Sequence, residues 1–222
     1  TANVVVAEAG ERLRPVAVVA GLLLIVGAWG GRRAEAAEWT RAGEPVRVGL
    51  VQGNVDQGEK WDPARATFIF TNYLEMTRQA ISRGAQLVLW PESSTPFYFE
   101  EPRDRADADR LRALARRAQV PILVGSDQIE RGVPAKYFNS AFLVREDGST
   151  GGVYRKMHLV PFGEYVPFKR MLFFAAPLVE TVSDFSEGDR PALLPVGDHR
   201  ISTSICYEIV YPHLVRQFVT GG

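Results

Sequence analysis

The hydrophobic positions divide the chain into an uncharged apolar run near its start and a longer series of short apolar segments. Residues 15–30, PVAVVAGLLLIVGAWG, carry no charge, and the run is slightly shorter than the roughly 20 residues that span a bilayer. Arg residues flank the run on both sides, so the positive-inside rule sets no orientation. The run predicts a membrane helix, with a signal-peptide core and a buried helix of a soluble domain as alternatives.

Residues 32–45 are polar, rich in Ala, Gly and Glu, and end at Pro45. They predict a linker between the end of a membrane region, residues 1–31, and a catalytic domain over residues 46–222. The chain lacks an initial Met and stops shortly after a strand-like stretch. We therefore interpret it as a piece of a longer protein whose catalytic domain is incomplete. Since a cut there leaves strand edges unpaired, we expect the 222-residue piece to be inactive by itself.

Short segments with a period of two alternate with longer segments of helical period after residue 46. Strands are predicted over 46–52, 86–90, 121–126, 137–145, 152–155, 192–196 and 200–205. Helices are predicted from Asp62-Pro63, an N-cap followed by Pro at the first helical position, to a stop at Gly84, and over 104–119. This order predicts an α/β or α+β domain in which helices cover a mixed sheet.

Composition and charge exclude several classes of protein. The apolar fraction is 46% and the charged fraction 23%, as in ordinary globular proteins. The formal net charge is zero and the basic residues are scattered, so no nucleic-acid partner is expected. Cys206 is the only cysteine, which excludes a disulfide within the chain and a Cys-rich metal site. A lone cysteine is often a small buried apolar residue, so only its surroundings can indicate chemistry.

The sequence predicts no metal ion and no cofactor. The histidines, His158, His199 and His213, are not spaced for a metal, and no phosphate-binding glycine loop is present. We expect these histidines to be surface or core residues, with attention to His158 because it lies close to Lys156. Asp127 and Asp147 are interpreted as turn residues.

Three reactive side chains follow predicted strands. Glu92 follows the strand at 86–90, Lys156 follows the strand at 152–155, and Cys206 follows the strand at 200–205. Ends of neighbouring strands are where open α/β sheets place their sites. A thiolate can attack a carbonyl carbon, a carboxylate can take the thiol proton, and an ammonium can stabilise the thiolate and the oxyanion.

Each of these residues also has an ordinary structural interpretation. Glu92 follows a Pro and could lie at a helix N-terminus, Lys156 could be a surface lysine, and Cys206 could be a core residue. If the three do form a site, the backbone N–H of Tyr207 is a candidate second oxyanion donor. The residues by themselves imply thiol-based acyl transfer and no particular substrate.

Three sequence strings resemble the nitrilase, or carbon–nitrogen hydrolase, superfamily. They are LVLWPESS (87–94), YRKMHLVPFGEY (154–165) and STSICYEIVYP (202–212). The resemblance covers about residues 46–222 and implies a four-layer α-β-β-α sandwich. It also implies that Glu92 is the general base, Lys156 the lysine that stabilises the oxyanion, and Cys206 the nucleophile.

Three further strings resemble the apolipoprotein N-acyltransferases, a family of bacterial membrane enzymes. They are VQGNVDQGEKWDP (51–63), FGEYVPF (162–168) and CYEI (206–209). This resemblance implies that Glu164 orients or tunes Lys156, and that Tyr207 and Glu208 support the loop of the nucleophile. It further implies substrate-binding residues, namely Trp61, Phe162, Tyr165 and Phe168.

The same resemblance implies the substrates and the location. It implies a phospholipid as the acyl donor, a thioester on Cys206 as the intermediate, and the amino group of diacylglyceryl-cysteine on an apolipoprotein as the acceptor. The enzymes of that family lie in the bacterial inner membrane with the catalytic domain on the periplasmic side.

An apolar segment that follows Lys156 favours a lipid substrate, independently of the family resemblance. Residues 165–179, YVPFKRMLFFAAPLV, are too apolar for an ordinary long loop. They predict an arm that holds acyl chains or enters a bilayer, with a helix packed on the domain core as the alternative.

Two other functions stay open from the sequence. Water could resolve the same thioester, which gives a nitrilase-type amidase acting on a small amide. A catalytically silent nitrilase-like domain used for binding is the third hypothesis, and the intact set of Glu92, Lys156 and Cys206 argues against it.

Overall fold

The structure is a computed structural model that describes residues 2–37, 42–56, 58–166 and 184–220, with side chains of the first helix described from residue 14. It divides into two compact units, Thr1–Pro45 and Val46–Gly222.

The first unit contains one long helix, α1 (Ala2–Ala36). Its segment Arg14–Ala36, 23 residues, is long and apolar enough to cross a membrane by length and composition. The helix is longer than the apolar run at 15–30 and includes the first residues of the predicted linker. A helix propagates one hydrogen bond per residue, so it does not have to end where the apolar side chains end.

The second unit alternates strands and helices, as the hydrophobic pattern predicts. Its elements are β1 (Val48–Leu50), α2 (Pro63–Ser82), β2 (Leu87–Leu89), a 3-10 turn (Pro102–Asp104), α3 (Arg105–Ala118), β3 (Ile122–Glu130), β4 (Lys136–Val144), β5 (Thr150–Arg155), β6 (Leu193–Val196), β7 (His199–Ser202), a 3-10 turn (Cys206–Val210) and α4 (Pro212–Thr220). Helix α4 is absent from the elements predicted above, although its buried Leu214 and Phe218 have the i, i+4 spacing of a helix.

Helix α2 begins where the sequence predicts. The Asp62 carboxylate accepts a hydrogen bond from the Ala64 N–H at 2.9 Å, and Pro63 occupies the first turn. The chain leaves the helix through Gly84 at a φ of 85°. Because glycine enters this left-handed region without the steric cost of a Cβ, the stop at Gly84 has a physical basis.

The sheet topology brings several strand ends to one edge. The main sheet has the order β1-β2-β3-β4-β5, in which β1, β2 and β3 are parallel and β4 is antiparallel to both β3 and β5. Strand β5 therefore runs parallel to β2 and β3, so the carboxyl ends of these three strands share an edge. Strands β6 and β7 form a separate antiparallel hairpin. The mixed sheet predicted from the sequence is confirmed.

Apolar side chains cover both faces of the main sheet. On one face, Phe70 of α2 and Leu111 of α3 join Val88 and Phe142 of the sheet in one core. On the other face, a second core joins the sheet to the β6–β7 hairpin and α4; it includes Leu143, Tyr154, Leu194 and Phe218. The described residues thus form a helical layer, a sheet, and a third layer of hairpin and helix. This is consistent with the predicted layered sandwich.

A close backbone contact holds the loop that follows β2. A Cβ at Gly125 of β3 would lie 2.2 Å from the Pro91 carbonyl oxygen and 2.8 Å from the Cα of Glu92. The Gly125 carbonyl also accepts a hydrogen bond from the Ser94 N–H at 2.8 Å. The absence of a side chain at Gly125 lets the Glu92 loop lie directly on β3.

Replacing Gly125 with Ala should therefore displace this loop and destabilise the fold. We expect Gly125→Ala to lower the free energy of unfolding by about 1–3 kcal/mol, the usual effect of overpacking. Thermal unfolding followed by tryptophan fluorescence measures the change. Gly132→Ala is the matched control, because a Cβ there meets nothing closer than 3.4 Å. Equal melting temperatures for the two variants would contradict this account.

Candidate active site

Two of the three predicted reactive residues lie at the shared edge of the main sheet. Glu92 follows β2 and Lys156 follows β5 directly, but β3 and β4 lie between these strands. The three predicted strand ends are therefore not neighbours in one sheet. Cys206 is not at a strand end either, because β7 ends at Ser202. Ladder pairing stops at Ser202 because its partner, Leu193, is the first residue of β6.

A buried ammonium group connects two carboxylates at this edge. Lys156 Nζ donates to Glu164 Oε1 at 2.8 Å and to Glu92 Oε1 at 3.3 Å. The Asn139 Nδ2 group donates to the same two oxygens, at 2.9 Å for Glu164 and 2.5 Å for Glu92. The side chain of Lys156 is only 1% exposed. Two donors and two acceptors thus alternate in a closed cluster that fixes the position of the ammonium group.

Asn139 is a site residue that sequence reasoning missed. It lies on β4 and is buried, and its backbone carbonyl also accepts a hydrogen bond from the Lys156 N–H at 2.8 Å. The available signal was a buried-strand pattern, KYFNSAFLV, interrupted by a polar amide. A buried amide needs hydrogen-bond partners, which the two carboxylates provide.

The environment of Lys156 favours its charged form. Burial favours the neutral amine, but the hydrogen bond to Glu164 and the negative charge of Glu92 outweigh it. The pKa of Lys156 therefore lies above its ordinary value. The group is a permanent cation at neutral pH.

Cys206 begins the 3-10 turn with a left-handed backbone. Its φ is 54°, a conformation that costs energy for a residue with a Cβ, and the residue is exposed. Glu92 and Cys206 line one small cavity, and the thiol lies close enough to Glu92, Lys156 and the Tyr207 N–H for each of them to shift its pKa. Partial burial of the sulfur and the charge of Glu92 raise the pKa of the Cys206 thiol, while Lys156 opposes them. The structure thus brings together Cys206, Glu92 and Lys156.

The Glu208 carboxylate joins the lysine strand to the cysteine turn. Glu208 is fully buried, and its Oε1 accepts from the backbone N–H groups of Met157 at 2.8 Å and His158 at 3.0 Å. Its Oε2 accepts from the N–H of Ile205 at 2.8 Å. Tyr154 OH donates to both oxygens, at 2.8 and 2.9 Å. The residues after Lys156 and before Cys206 are therefore held by one carboxylate.

The other predicted site residues have mixed positions. Glu164 contacts Lys156, and its second oxygen accepts from the Val160 N–H at 2.9 Å. Phe162 and Tyr207 are exposed, and Tyr165 forms an isolated bridge with Pro161. Phe168 and most of the segment 165–179 lie outside the described residues.

A cavity of about 640 Å³ opens on one side of Glu92. Glu92, Glu164 and Asn139 line it, together with Trp61, one of the predicted substrate-binding residues. A smaller cavity of about 190 Å³ lies between Glu92 and Cys206. Glu92 therefore borders both spaces, which allows two substrates to approach one carboxylate.

The interpretation of Asp127 as a turn residue is wrong. Asp127 lies within β3, is buried, and lines the large cavity. The strand continues past its apolar residues because β4 pairs with it as far as Glu130, opposite Lys136. Asp147, in contrast, lies in a turn where its carboxylate accepts from the Ser149 N–H at 2.7 Å.

His158 packs against an aromatic side chain. Its ring centroid lies 4.0 Å from that of Tyr211, and its backbone N–H is bound by Glu208. Within residues 2–37, 42–56, 58–166 and 184–220, no group of three or more His, Cys, Asp or Glu side chains could hold a metal ion.

Comparison with known proteins assigns the chain and its fold to a family. The carbon-nitrogen hydrolase family pattern matches residues 47–222, and the chain belongs to that family. Among solved structures, a carbon-nitrogen hydrolase from Helicobacter pylori aligns with a TM-score of 0.56 at 21% identity, over 80% of this chain and 56% of that one. An amidase from Nesterenkonia sp. aligns with a TM-score of 0.55 at 22% identity, over 80% and 61%.

The curated relatives carry a more specific name. An apolipoprotein N-acyltransferase from Geobacter metallireducens is 41% identical over 213 residues, 95% of this chain and 40% of that protein. One from Azotobacter vinelandii is 39% identical over 212 residues, 90% of this chain and 39% of that protein. The chain thus spans about 40% of the length of these relatives. The resemblance inferred from the sequence strings is confirmed.

From the contacts of Glu208 we predict how its replacement changes the free energy of unfolding. Glu208→Gln removes the charge and turns an NH2 group toward N–H donors, so we expect a loss of about 1.5–3 kcal/mol in unfolding free energy, as for one charged hydrogen bond. Tyr154→Phe removes a single donor and should cost less. Thermal unfolding measures both effects. A Glu208→Gln protein as stable as Tyr154→Phe would show that the carboxylate charge is unimportant.

From the pKa of Cys206 we predict how the alkylation of its thiol depends on pH. Because the pKa is raised, the thiol stays protonated at neutral pH, and alkylation by iodoacetamide should be half-maximal above pH 9.0, the ordinary value. Glu92→Gln removes one cause of the increase, so its midpoint should move to lower pH. Cys206→Ser is the blank, since the sequence has one cysteine. A wild-type midpoint below 9.0 would contradict the prediction.

Proposed function

We propose that this chain carries the catalytic centre of an apolipoprotein N-acyltransferase, with Cys206 as nucleophile, Glu92 as general base and Lys156 as oxyanion donor. The observation that carries the proposal is the position of Glu92, which accepts a hydrogen bond from Lys156 and lines the same small cavity as Cys206. A nucleophile, a base in contact with it and a fixed cation form a complete set for acyl transfer. The similarity to relatives of that name supports the choice of substrates.

In the first half-reaction the enzyme takes an acyl chain from a phospholipid. The Cys206 proton passes to Glu92 while the sulfur bonds to the ester carbonyl carbon. The oxyanion accepts from Lys156, which has a third N–H besides the two directed at the carboxylates, and from the Tyr207 N–H. The intermediate then expels the lysophospholipid alkoxide, which takes the proton from Glu92. A thioester on Cys206 remains.

In the second half-reaction an amine replaces the thiolate. The α-amino nitrogen of diacylglyceryl-cysteine on an apolipoprotein attacks the thioester carbonyl, and Glu92 accepts a proton from that nitrogen. The C–S bond breaks, an amide forms, and the proton on Glu92 returns to the Cys206 sulfur. Because Glu92 borders both cavities, it can act in both steps without moving far.

The remaining predicted residues have positioning or binding roles in this proposal. Glu164 positions Lys156 through the 2.8 Å contact, and Glu208 holds the turn that presents Cys206 and Tyr207. Trp61 borders the large cavity and would contact substrate there. Phe162, Tyr165 and Phe168 are assigned to substrate binding by resemblance.

We also propose the bacterial inner membrane as the location, with the catalytic domain on the periplasmic side. The length and composition of Arg14–Ala36 support a membrane helix. Such a helix would keep the site near its phospholipid donor and near a lipid-anchored acceptor. The orientation is the one that the sequence resemblance implies.

The thioester is the test of this function. The full-length protein that carries this chain is purified in detergent, incubated with a labelled phospholipid and examined by intact-mass spectrometry. We expect a mass gain of one acyl chain that neutral hydroxylamine removes, because hydroxylamine cleaves thioesters and leaves ordinary esters.

Two variants make the test specific. Cys206→Ser should give no hydroxylamine-sensitive adduct, and Glu92→Gln should slow adduct formation by about 10²–10⁴-fold, the usual contribution of a general base. Cys206-dependent turnover of small amides without a phospholipid adduct would move the chain to the amidase branch. Equal labelling of wild type and Cys206→Ser would indicate a silent domain.

A further inference from the structure

The large cavity contains a polar pair that the acyl-transfer steps above do not use. Asp127 of β3 and Asn139 of β4 are direct cross-strand partners in the antiparallel ladder. Directly opposed residues on two strands place their side chains on the same face of a sheet. Both residues line the cavity together with Glu92. The Asp127 carboxylate and the Asn139 amide therefore face the same space as the general base.

The Asn139 amide oxygen has an unmet hydrogen-bonding capacity. Its nitrogen donates to Glu92 and Glu164, so the orientation of the amide is fixed, because the reverse would place oxygen against two carboxylates. The Oδ1 atom is buried and has no hydrogen-bond partner within the part of the chain that the structure describes, and Asn139 is 3% exposed. A buried polar atom without a partner is costly. A donor from a bound ligand would satisfy it.

The described lining of the cavity is predominantly acidic. It carries four carboxylates, those of Glu92, Asp127, Glu164 and Asp184, and one ammonium group, that of Lys60. Lys156 neutralises much of the charge of Glu92 and Glu164. Among the described residues Asp127 forms no such direct ion pair, and it accepts a hydrogen bond from Ser93 Oγ at 2.9 Å. Such a lining suits a ligand that is a cation with several N–H donors.

The titration of Asp127 is compatible with this use. Burial raises the pKa of Asp127 to about 6, opposed by the Ser93 hydrogen bond and the charge of Lys60 and increased by Glu92 and Glu164. The carboxylate is therefore charged at neutral pH, but it is a stronger base than an exposed aspartate.

We infer that Asp127 and the Asn139 Oδ1 atom form the subsite for the protonated amino group of the acyl acceptor. This inference rests on the proposed function and assigns a residue to the recognition of its second substrate. An ammonium has three N–H donors. The subsite provides a carboxylate and an amide oxygen for them, beside the base that acts on the thioester.

The protons balance in this arrangement. An ammonium must lose one proton before its nitrogen can attack, and that proton passes to the Asp127 carboxylate and from there to solvent. The nitrogen then bonds to the thioester carbonyl carbon and loses a second proton to Glu92. That proton reaches the Cys206 sulfur as the C–S bond breaks. One amide, one thiol and one released proton result.

Asp127 also has a structural contact, with Ser93, whose φ is 43° next to Glu92. The experiment has to separate the charge of Asp127 from this hydrogen bond. Asp127→Asn removes the charge and keeps an acceptor oxygen for Ser93. Ser93→Ala removes the hydrogen bond and keeps the charge. The two variants are therefore matched controls for each other.

The measurement follows the decay of the acyl-enzyme. The full-length protein in detergent is acylated with labelled phospholipid and freed of excess donor. It is then mixed either with a peptide that begins with diacylglyceryl-cysteine or with hydroxylamine, which is uncharged at neutral pH. For Asp127→Asn we expect decay with the peptide to slow by about 10–100-fold, the value of one charge-assisted hydrogen bond. Decay with hydroxylamine should stay close to that of wild type. Ser93→Ala should keep the wild-type ratio of the two rates.

The outcomes distinguish this inference from the proposed function. If wild type forms no thioester, the proposed function fails. If the thioester forms but Asp127→Asn leaves peptide decay unchanged, or slows both nucleophiles equally, the ammonium subsite is refuted.

A measurement on the wild type covers the case in which Asp127→Asn does not fold. Butylguanidinium, a cation that stays protonated, should compete with the peptide and raise its KM without changing kcat. Butylurea, its uncharged analogue, should not compete. Equal effects of the two compounds would refute the subsite.

Discussion

The site depends on one buried ammonium group. An ammonium taken out of water loses several kcal/mol of hydration unless carboxylates and hydrogen bonds replace the water. Lys156 meets this condition with Glu164 and Glu92, and Asn139 completes the cluster by donating to the same oxygens. Removing either carboxylate would leave one N–H of Lys156 and one of Asn139 without that acceptor, so the positions of all four groups are coupled. The base of the proposed reaction is therefore fixed by the same contacts that keep the cation in the protein.

The cysteine is held by a different mechanism. Its turn has a left-handed backbone at Cys206, a conformation that persists only when surrounding contacts determine it. Glu208 provides such contacts, because it binds the N–H of Ile205 before the cysteine and that of Met157 after the lysine. Burial and the charge of Glu208 raise the pKa of Tyr154, so its hydroxyl remains a donor to this carboxylate. One buried anion thus sets the distance between the main sheet and the nucleophile turn.

The sequence predicts the strands, both long helices and the three reactive residues because these follow from local patterns and family strings. It does not predict the tertiary contacts between these elements. Asp127 resembles a turn residue locally, and only pairing with β4 makes it part of a strand. Asn139 belongs to the site because its amide donates hydrogen bonds to the carboxylates of Glu92 and Glu164, two residues far apart in sequence. The continuation of strand-like alternation past Ser202 suggests a longer β7, but its partner strand begins at Leu193 and pairing stops there. Contacts between residues far apart in sequence decide the place of Asp127, the contacts of Asn139 and the end of β7.

The charges around Glu92 differ between the two cavities that this residue borders. On the side of the smaller cavity, Glu92 and Cys206 share the lining, and Lys156 adds a positive charge next to Glu92. On the side of the larger cavity, the described lining is acidic. An uncharged ester carbonyl is best stabilised on the first side, because charge appears there only in the transition state. A cationic amine is attracted to the second side before it reacts. The two substrates therefore need not compete for one electrostatic environment, which suits a ping-pong sequence with a shared base.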